Sequence, residues 1–219
     1  MQNNKSSIFS SARIRALAIW GTLGAFGCVG IYLLTNEIAS RNTDFYHLFF
    51  EFERDTPMVP WMIHVYNSFH LLLLLNFVCI KSPLQIRALT ISLISSCVIA
   101  AIFFLIFPTE LGFSRTQNII GYEFWYNHLH LLDHPHNLVP SLHITFSALS
   151  AYVMAKQTES RLLKGAFLIW FLLICSSIIL VHQHHLLDLL TGFILAVIVK
   201  KFIYDKLLES KVPQFPTNE

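Results

Sequence analysis

Charge is what this chain has least of. Of its 219 residues, 13% are Asp, Glu, Lys or Arg, roughly half the share found in an average soluble domain. So few charges cannot clothe a water-facing globule, and the balance is that of an integral membrane protein. The net charge of +2 supplies no broad basic face, so no nucleic-acid partner is expected. Cysteine is scarce as well. Cys28, Cys79, Cys97 and Cys175 fall inside apolar runs without metal-ligand spacing, which reads as buried thiols. Also missing are internal repeats, low-complexity tracts and the alternating segments of about ten residues that would build a closed barrel.

What the chain does have is apolar length. Hydrophobic residues make up 54% and the mean hydropathy is +0.56. The charges sit between runs long enough for the roughly 30 Å hydrocarbon core. The expected fold is all-α: a polytopic membrane helical bundle with interfacial helical loops on the non-cytoplasmic side, forming a single integral membrane domain over 1–219. Six spans are expected, at Ile14–Leu34, Met62–Ile80, Ile86–Phe107, Ser141–Lys156, Leu162–Val181 and Leu186–Tyr204. The fourth is short and carries Ser141, His143, Thr145, Ser147 and Ser150, so it should face the bundle interior. A basic region precedes the first span, but its apolar stretch exceeds the roughly 7–15 residues of a secretion signal's core. It reads as a retained span.

The basic residues orient the bundle. Lys5, Arg13 and Arg15 precede the first span, Lys81 and Arg87 flank the second turn, and Lys156, Arg161 and Lys164 separate spans four and five. Lys200, Lys201, Lys206 and Lys211 belong to the same side, against Arg41, Arg54 and Arg115 on the other. Twelve against three places both termini in the cytoplasm by the positive-inside rule.

Two polar motifs then share the non-cytoplasmic face. One is His182-Gln183-His184-His185-Leu186-Leu187-Asp188, after the fifth run. Histidine and aspartate at bilayer depth are costly and usually functional. If the helix starts near His184, then His184 and Asp188, four residues apart, share one helix face. A carboxylate there can accept the imidazole N–H, fix its tautomer and ready the ring as nucleophile or base. The other motif is Leu138-Val139-Pro140-Ser141-Leu142-His143. Two outer loops accompany them. Residues 35–61 read as an interfacial amphipathic segment ended by Pro57-Met58-Val59-Pro60-Trp61. Residues 108–139 carry Arg115 and an aromatic stretch, Tyr122 to His130, suited to an interface or a lid. His182, His185, His128, His130, His134 and His136 are expected to be interfacial polar residues rather than metal ligands, since His-x-His is not a usual closed zinc pattern.

These residues resemble a family. Pro140-Ser141-Leu142-His143 looks like the Pro-Ser-x-His motif of the type 2 phosphatidic acid phosphatase superfamily. Ser177, His184 and Asp188 match its Ser-(Arg)-x5-His-x3-Asp motif in both spacings. Phe107-Pro108-Thr109 before Arg115, and Pro57-Met58-Val59-Pro60-Trp61, resemble its branch near the inositol phosphorylceramide synthases. The resemblance covers about 55–205. Two departures stand out: Ile178 replaces the family's phosphate-binding arginine, and no Lys-x6-Arg-Pro motif precedes Pro140. Arg115 is then the candidate cation for phosphate, with Ser141 and the backbone N–H groups of Ser141 and Leu142 at a helix start as further anion ligands.

The resemblance implies a membrane lipid phosphate or phospholipid substrate and neither metal nor cofactor. His184 would attack phosphorus, Asp188 would hold its ring, and protonated His143 would serve the leaving group. Three readings stand side by side: a lipid phosphate phosphatase, a headgroup phosphotransferase of the inositol phosphorylceramide or sphingomyelin synthase type, and, in another class, a histidine-rich membrane transporter or metal-binding protein.

Overall fold

The computed structural model of the protein describes residues 9–116 and 119–210. Lys5 and Lys211, counted in the charge asymmetry, lie outside the described residues. Among those residues the regular elements are helical, apart from one isolated bridge between Tyr46 and Thr109. They are α1 (Ser11–Ser40), α2 (Met62–Cys79), α3 (Pro83–Ile106), α4 (Glu123–Leu132), α5 (Leu142–Lys156), α6 (Arg161–Leu180) and α7 (Leu186–Val199). A π turn at Lys200–Tyr204 carries α7 into a short α8 (Asp205–Glu209).

Helix starts follow side-chain chemistry. Ser82, Ser141 and Ser160 each accept a first-turn N–H, from Gln85, Ile144 and Leu163, which satisfies donors that have no partner inside the helix. Pro83 opens α3, where its missing N–H costs nothing. The end of α2 is closed from outside. Arg13, though counted as a topological charge, is buried and donates to Ile80 O at 2.7 Å, Phe77 O at 2.9 Å and Val78 O at 2.6 Å.

Four helices, α1, α2, α3 and α6, are long and apolar enough to cross a membrane. The other two expected spans are α5, whose 15 residues fall short of the about 20 a span requires, and α7, whose 14 residues are continued by the π turn and α8 to Glu209. Both begin at buried polar residues, Ser141 for α5 and His185 and Asp188 for α7. α5 is central. Phe146, Leu149 and Val153 pack with residues of α1, α3 and α7, while Ile144, Ala151 and Met154 pack with α2 and α6.

Two boundaries differ from expectation. α1 runs to Ser40 rather than Leu34 because its last turns have partners: Asn36 binds the 133–134 backbone and side chain, and Glu37 pairs with Arg41 at 2.9 Å. Residues 42–60 are not an amphipathic helix. They are irregular backbone around one 3-10 turn, Glu51–Asp55, held by Tyr46 N–H to Pro108 O at 2.8 Å and Val59 N–H to Leu180 O at 2.9 Å. The amphipathic element is α4. It buries Tyr126 against Pro60 O and exposes Phe124 and Leu131.

Candidate active site

The turn after α6 builds one half of the site. His182 takes a left-handed conformation, φ 57°. Its N–H returns to Ile179 O at 3.0 Å while Gln183 N–H returns to Ile178 O at 3.0 Å, the paired closure that usually places glycine at this position. Histidine is held there by its ring, which donates from Nε2 to Thr56 O at 2.9 Å and stacks on Phe113 at 4.0 Å. The chain then starts α7 with His185 as N-cap and Asp188 in its first turn. Asp188 Oδ2 accepts the His185 N–H at 2.8 Å and the His184 Nδ1–H at 3.0 Å.

The start of α5 builds the other half. Ser141 N–H donates to Asp188 O at 3.2 Å, and α5 crosses α7 at Gly192. A Cβ on Gly192 would stand 2.5 Å from Ser141 O, so only glycine lets the two helix starts approach this closely. Thr145 Oγ1 lies 2.9 Å from both Ser141 O and Gly192 O and bridges the crossing.

The halves meet at His184 Nε2. Ser141 Oγ lies 3.2 Å from it and His143 Nδ1 3.3 Å, with the two rings 5.4 Å apart and edge to face. His143 Nε2 in turn lies 2.7 Å from Tyr66 OH on α2. The partners assign one set of tautomers. Asp188 can only accept, so His184 carries its proton on Nδ1 and keeps a lone pair on Nε2. His143 Nδ1–H then points at that lone pair while Tyr66 donates to His143 Nε2. Asp188 and His184 are buried. The N–H groups of Leu142 and His143, at the first turn of α5, have no protein partner among the described residues.

Arg115 lies beside this cluster rather than in it. Its guanidinium interacts electrostatically with Asp133, Tyr32 and Tyr66. Nη1 makes one long bond, 3.5 Å, to His130 O, and Nε is buried without a partner. Burial draws its pKa down, against those three neighbours. Asp133 completes the surround. It bonds Tyr32 OH and Asn36 Nδ2, and it interacts with both His184 and Arg115. Burial pushes its carboxyl pKa up, and the Tyr32 bond and the neighbouring His184, Arg115 and His134 oppose that.

The profile of the PAP2 superfamily matches residues 42–202 of the chain. The chain belongs to that superfamily. Membership brings phosphatase-type activity with it. No curated protein matches the chain. The PAP2 match begins after α1, so Tyr32, Thr35 and Asn36, which hold the 133–137 segment, are additions from outside the matched region.

Other motif positions fall elsewhere. Ser177 is buried and bonds Ile174 O at 2.8 Å within its own helix. Ile178, in place of the family arginine, is fully buried in the apolar core. His185 is not interfacial as expected: it is buried between Phe49 and Phe113, because Glu53 and Gly112 supply bonds for both ring nitrogens. Among the described residues no group of three or more His, Cys, Asp or Glu side chains is placed to hold a metal ion. Sequence reasoning missed Tyr66, Asp133 and Glu53. Each is polar or acidic in or beside an apolar run, a signal that marks burial without naming a partner.

Proposed function

We propose that this PAP2 superfamily member is a membrane lipid phosphate phosphatase that works through a phosphohistidine on His184. The observation that carries the reading is the lone pair of His184 Nε2, backed by Asp188 at 3.0 Å and faced by His143 at 3.3 Å. Substrate phosphorus takes the place of His143 Nδ1 in front of that lone pair. A nitrogen–phosphorus bond forms as the ester oxygen leaves, and protonated His143 gives its Nδ1 proton to that oxygen. Tyr66 OH can donate to His143 Nε2 or accept from it, so it stays bonded in both states. Water then attacks phosphorus, returning a proton to His143 and the lone pair to His184. Asp188 balances the cationic ring throughout.

The non-bridging oxygens go to Ser141, to the free N–H groups at the start of α5 and to Arg115, whose unpartnered Nε leaves it bonding capacity. These donors bear the charge that a metal would otherwise carry, so neither metal nor cofactor enters this reading. α5 and α7 act as inner spans in a six-span bundle with both termini cytoplasmic and the site at the non-cytoplasmic interface. Lipid tails would lie along the apolar helix faces.

A lipid headgroup phosphotransferase, close to the inositol phosphorylceramide synthase branch, is the second reading. Ile178 favours it, since the arginine associated with the phosphatase pattern is replaced by a buried apolar side chain. One experiment separates the two. Purified protein in mixed micelles is given a panel of lipid phosphates and phospholipids, with and without a lipid alcohol. Free phosphate supports the phosphatase, a transferred headgroup supports the transferase, and no turnover with no acid-labile label on His184 refutes both.

A further inference from the structure

His184 is not the only histidine here tied to a carboxylate. Its neighbour His185 has Nδ1 3.3 Å from Glu53 Oε2, and both side chains are almost wholly buried. The same Glu53 oxygen accepts the Leu186 N–H at 2.8 Å, while Oε1 accepts the Phe50 N–H at 2.9 Å. His185 Nε2 accepts the Gly112 N–H at 2.9 Å, so the ring carries its one proton on Nδ1 and gives it to Glu53. Phe49 and Phe113 stack on the ring, at 4.9 and 4.7 Å. A Cβ at Gly112 would stand 2.9 Å from the Phe49 ring, so the fit is tight.

From this geometry we infer that Glu53 and His185 are positioning residues for the reaction, acting on His184 through Asp188. The inference rests on reading His184 as the nucleophile. The two carboxylates divide the donors at the start of α7 between them. Asp188 serves the His184 ring and the His185 N–H; Glu53 serves the His185 ring and the Leu186 N–H. A helix start leaves its first N–H groups open. Without Glu53, the Leu186 N–H would compete for Asp188, the nearest remaining carboxylate in the turn. Asp188 would then hold His184 less squarely. The His185 ring stays neutral in this arrangement, because a second proton would displace the Gly112 N–H. Burial acts in the same direction, drawing its pKa down against the pull of Asp188 and Glu53. A neutral His185 leaves Asp188 with one cation to balance, the one that forms on His184.

The pair also explains why the 44–55 and 107–113 segments reach over α7. Phe49 and Glu53 from the first segment and Gly112 and Phe113 from the second all meet His185, the residue beside the nucleophile. A misplacement of about 1 Å can lower a rate about a hundredfold.

The test uses the full chain in mixed micelles with short-chain phosphatidic acid. A second readout needs no lipid: the rate at which diethyl pyrocarbonate modifies His184, resolved by peptide mass spectrometry. Glu53→Ala should lower kcat by about a hundredfold with KM within about twofold, because a misplaced group loses transition-state contact rather than substrate binding. Glu53→Gln, which keeps one acceptor, should lower it by about tenfold. His184 modification should slow in the same order. In a double-mutant cycle with His185→Gln, the losses should not add, as expected of residues acting as one unit. Thermal stability lowered with kcat and the His184 modification rate unchanged in folded Glu53→Gln would assign the pair to loop anchoring and overturn the inference. Wild-type protein without turnover or label would instead remove the functional reading, while the modification rates would still report on positioning.

Discussion

The crossing of α5 and α7 and the outer loop layer above it are both rich in histidine, and they use it differently. At the crossing, His184 and His143 bond to side chains, Asp188 and Tyr66, and face each other at 3.3 Å. In the loop layer, His136 bonds a backbone carbonyl, Thr109 O at 3.0 Å. His134 is tied to Asn36 through its backbone, and His128 stacks on Phe124 at 6.1 Å. Residue type alone therefore does not make a site. Convergence does, and here it depends on two helix starts brought together by Gly192.

The sharpest way to break the comparison is at the crossing. His184→Ala should abolish turnover and acid-labile phosphate labelling, since no neighbour can supply the covalent bond from the same place. Asp188→Asn should leave a measurable remainder, reduced by orders of magnitude, because it supplies orientation and charge rather than the bond. Equal label in a folded His184→Ala variant would remove His184 from its role.

Gly192→Ala comes next, and it tests packing rather than chemistry. The added methyl would need to stand where Ser141 O is, so α5 and α7 must part. Overpacking of this kind costs about 1–3 kcal/mol. The expected outcome is a lower midpoint of thermal unfolding together with a fall in kcat, as Ser141 and His143 move off His184. Unchanged stability and activity would show that the crossing is looser than the close approach implies.

Much of the crossing was legible in the sequence because its spacing is local. Four residues separate His184 from Asp188, near enough to meet although His184 lies in the turn before α7 rather than on it, and Ser141 and His143 open the same helix. Such offsets turn into geometry without knowledge of the fold. Tyr66, Glu53 and Asp133 were not legible. They reach the site across 77, 132 and 101 residues for Tyr66–His143, Glu53–His185 and Asp133–Tyr32, and no periodicity encodes such pairs. The long apolar runs were visible in the same way, while the continuation of α1 to Ser40 was not. It depends on Asn36 meeting 133–134, a tertiary contact.

Arg115 and Asp133 lie between the two regions and should show intermediate effects. Arg115→Ala should lower kcat/KM by about ten- to hundredfold, the scale of one hydrogen bond to a charged group. Arg115→Lys should restore part of it, since lysine keeps the charge but not the planar fork. Loss of binding alone would appear in KM, and loss of transition-state contact in kcat. If neither parameter moves, phosphate lies elsewhere and the free N–H groups of α5 become its main holders.

The smallest effects belong to the loop histidines. Turnover should persist in chelator, and His128→Gln and His134→Gln should stay within about twofold of wild type. Loss on chelation, reversed by zinc, would instead make ligands of them. His136 gives a finer measure through pH. Burial draws its pKa below the ordinary histidine value, against its bond to Thr109 O. The folded chain then binds fewer protons than the unfolded chain as pH falls through the ordinary histidine range, so stability must fall with it. Unfolding midpoints measured from pH 7.5 to 5 should therefore decline, and His136→Gln should decline less steeply, since glutamine takes up no proton in either state. Its midpoint at pH 7.5 should be slightly lower, because the Phe45 stack at 4.1 Å is lost. A slope unchanged by His136→Gln would place the acid sensitivity of the loop layer on other groups, with His130, whose pKa burial also draws down, the next to replace.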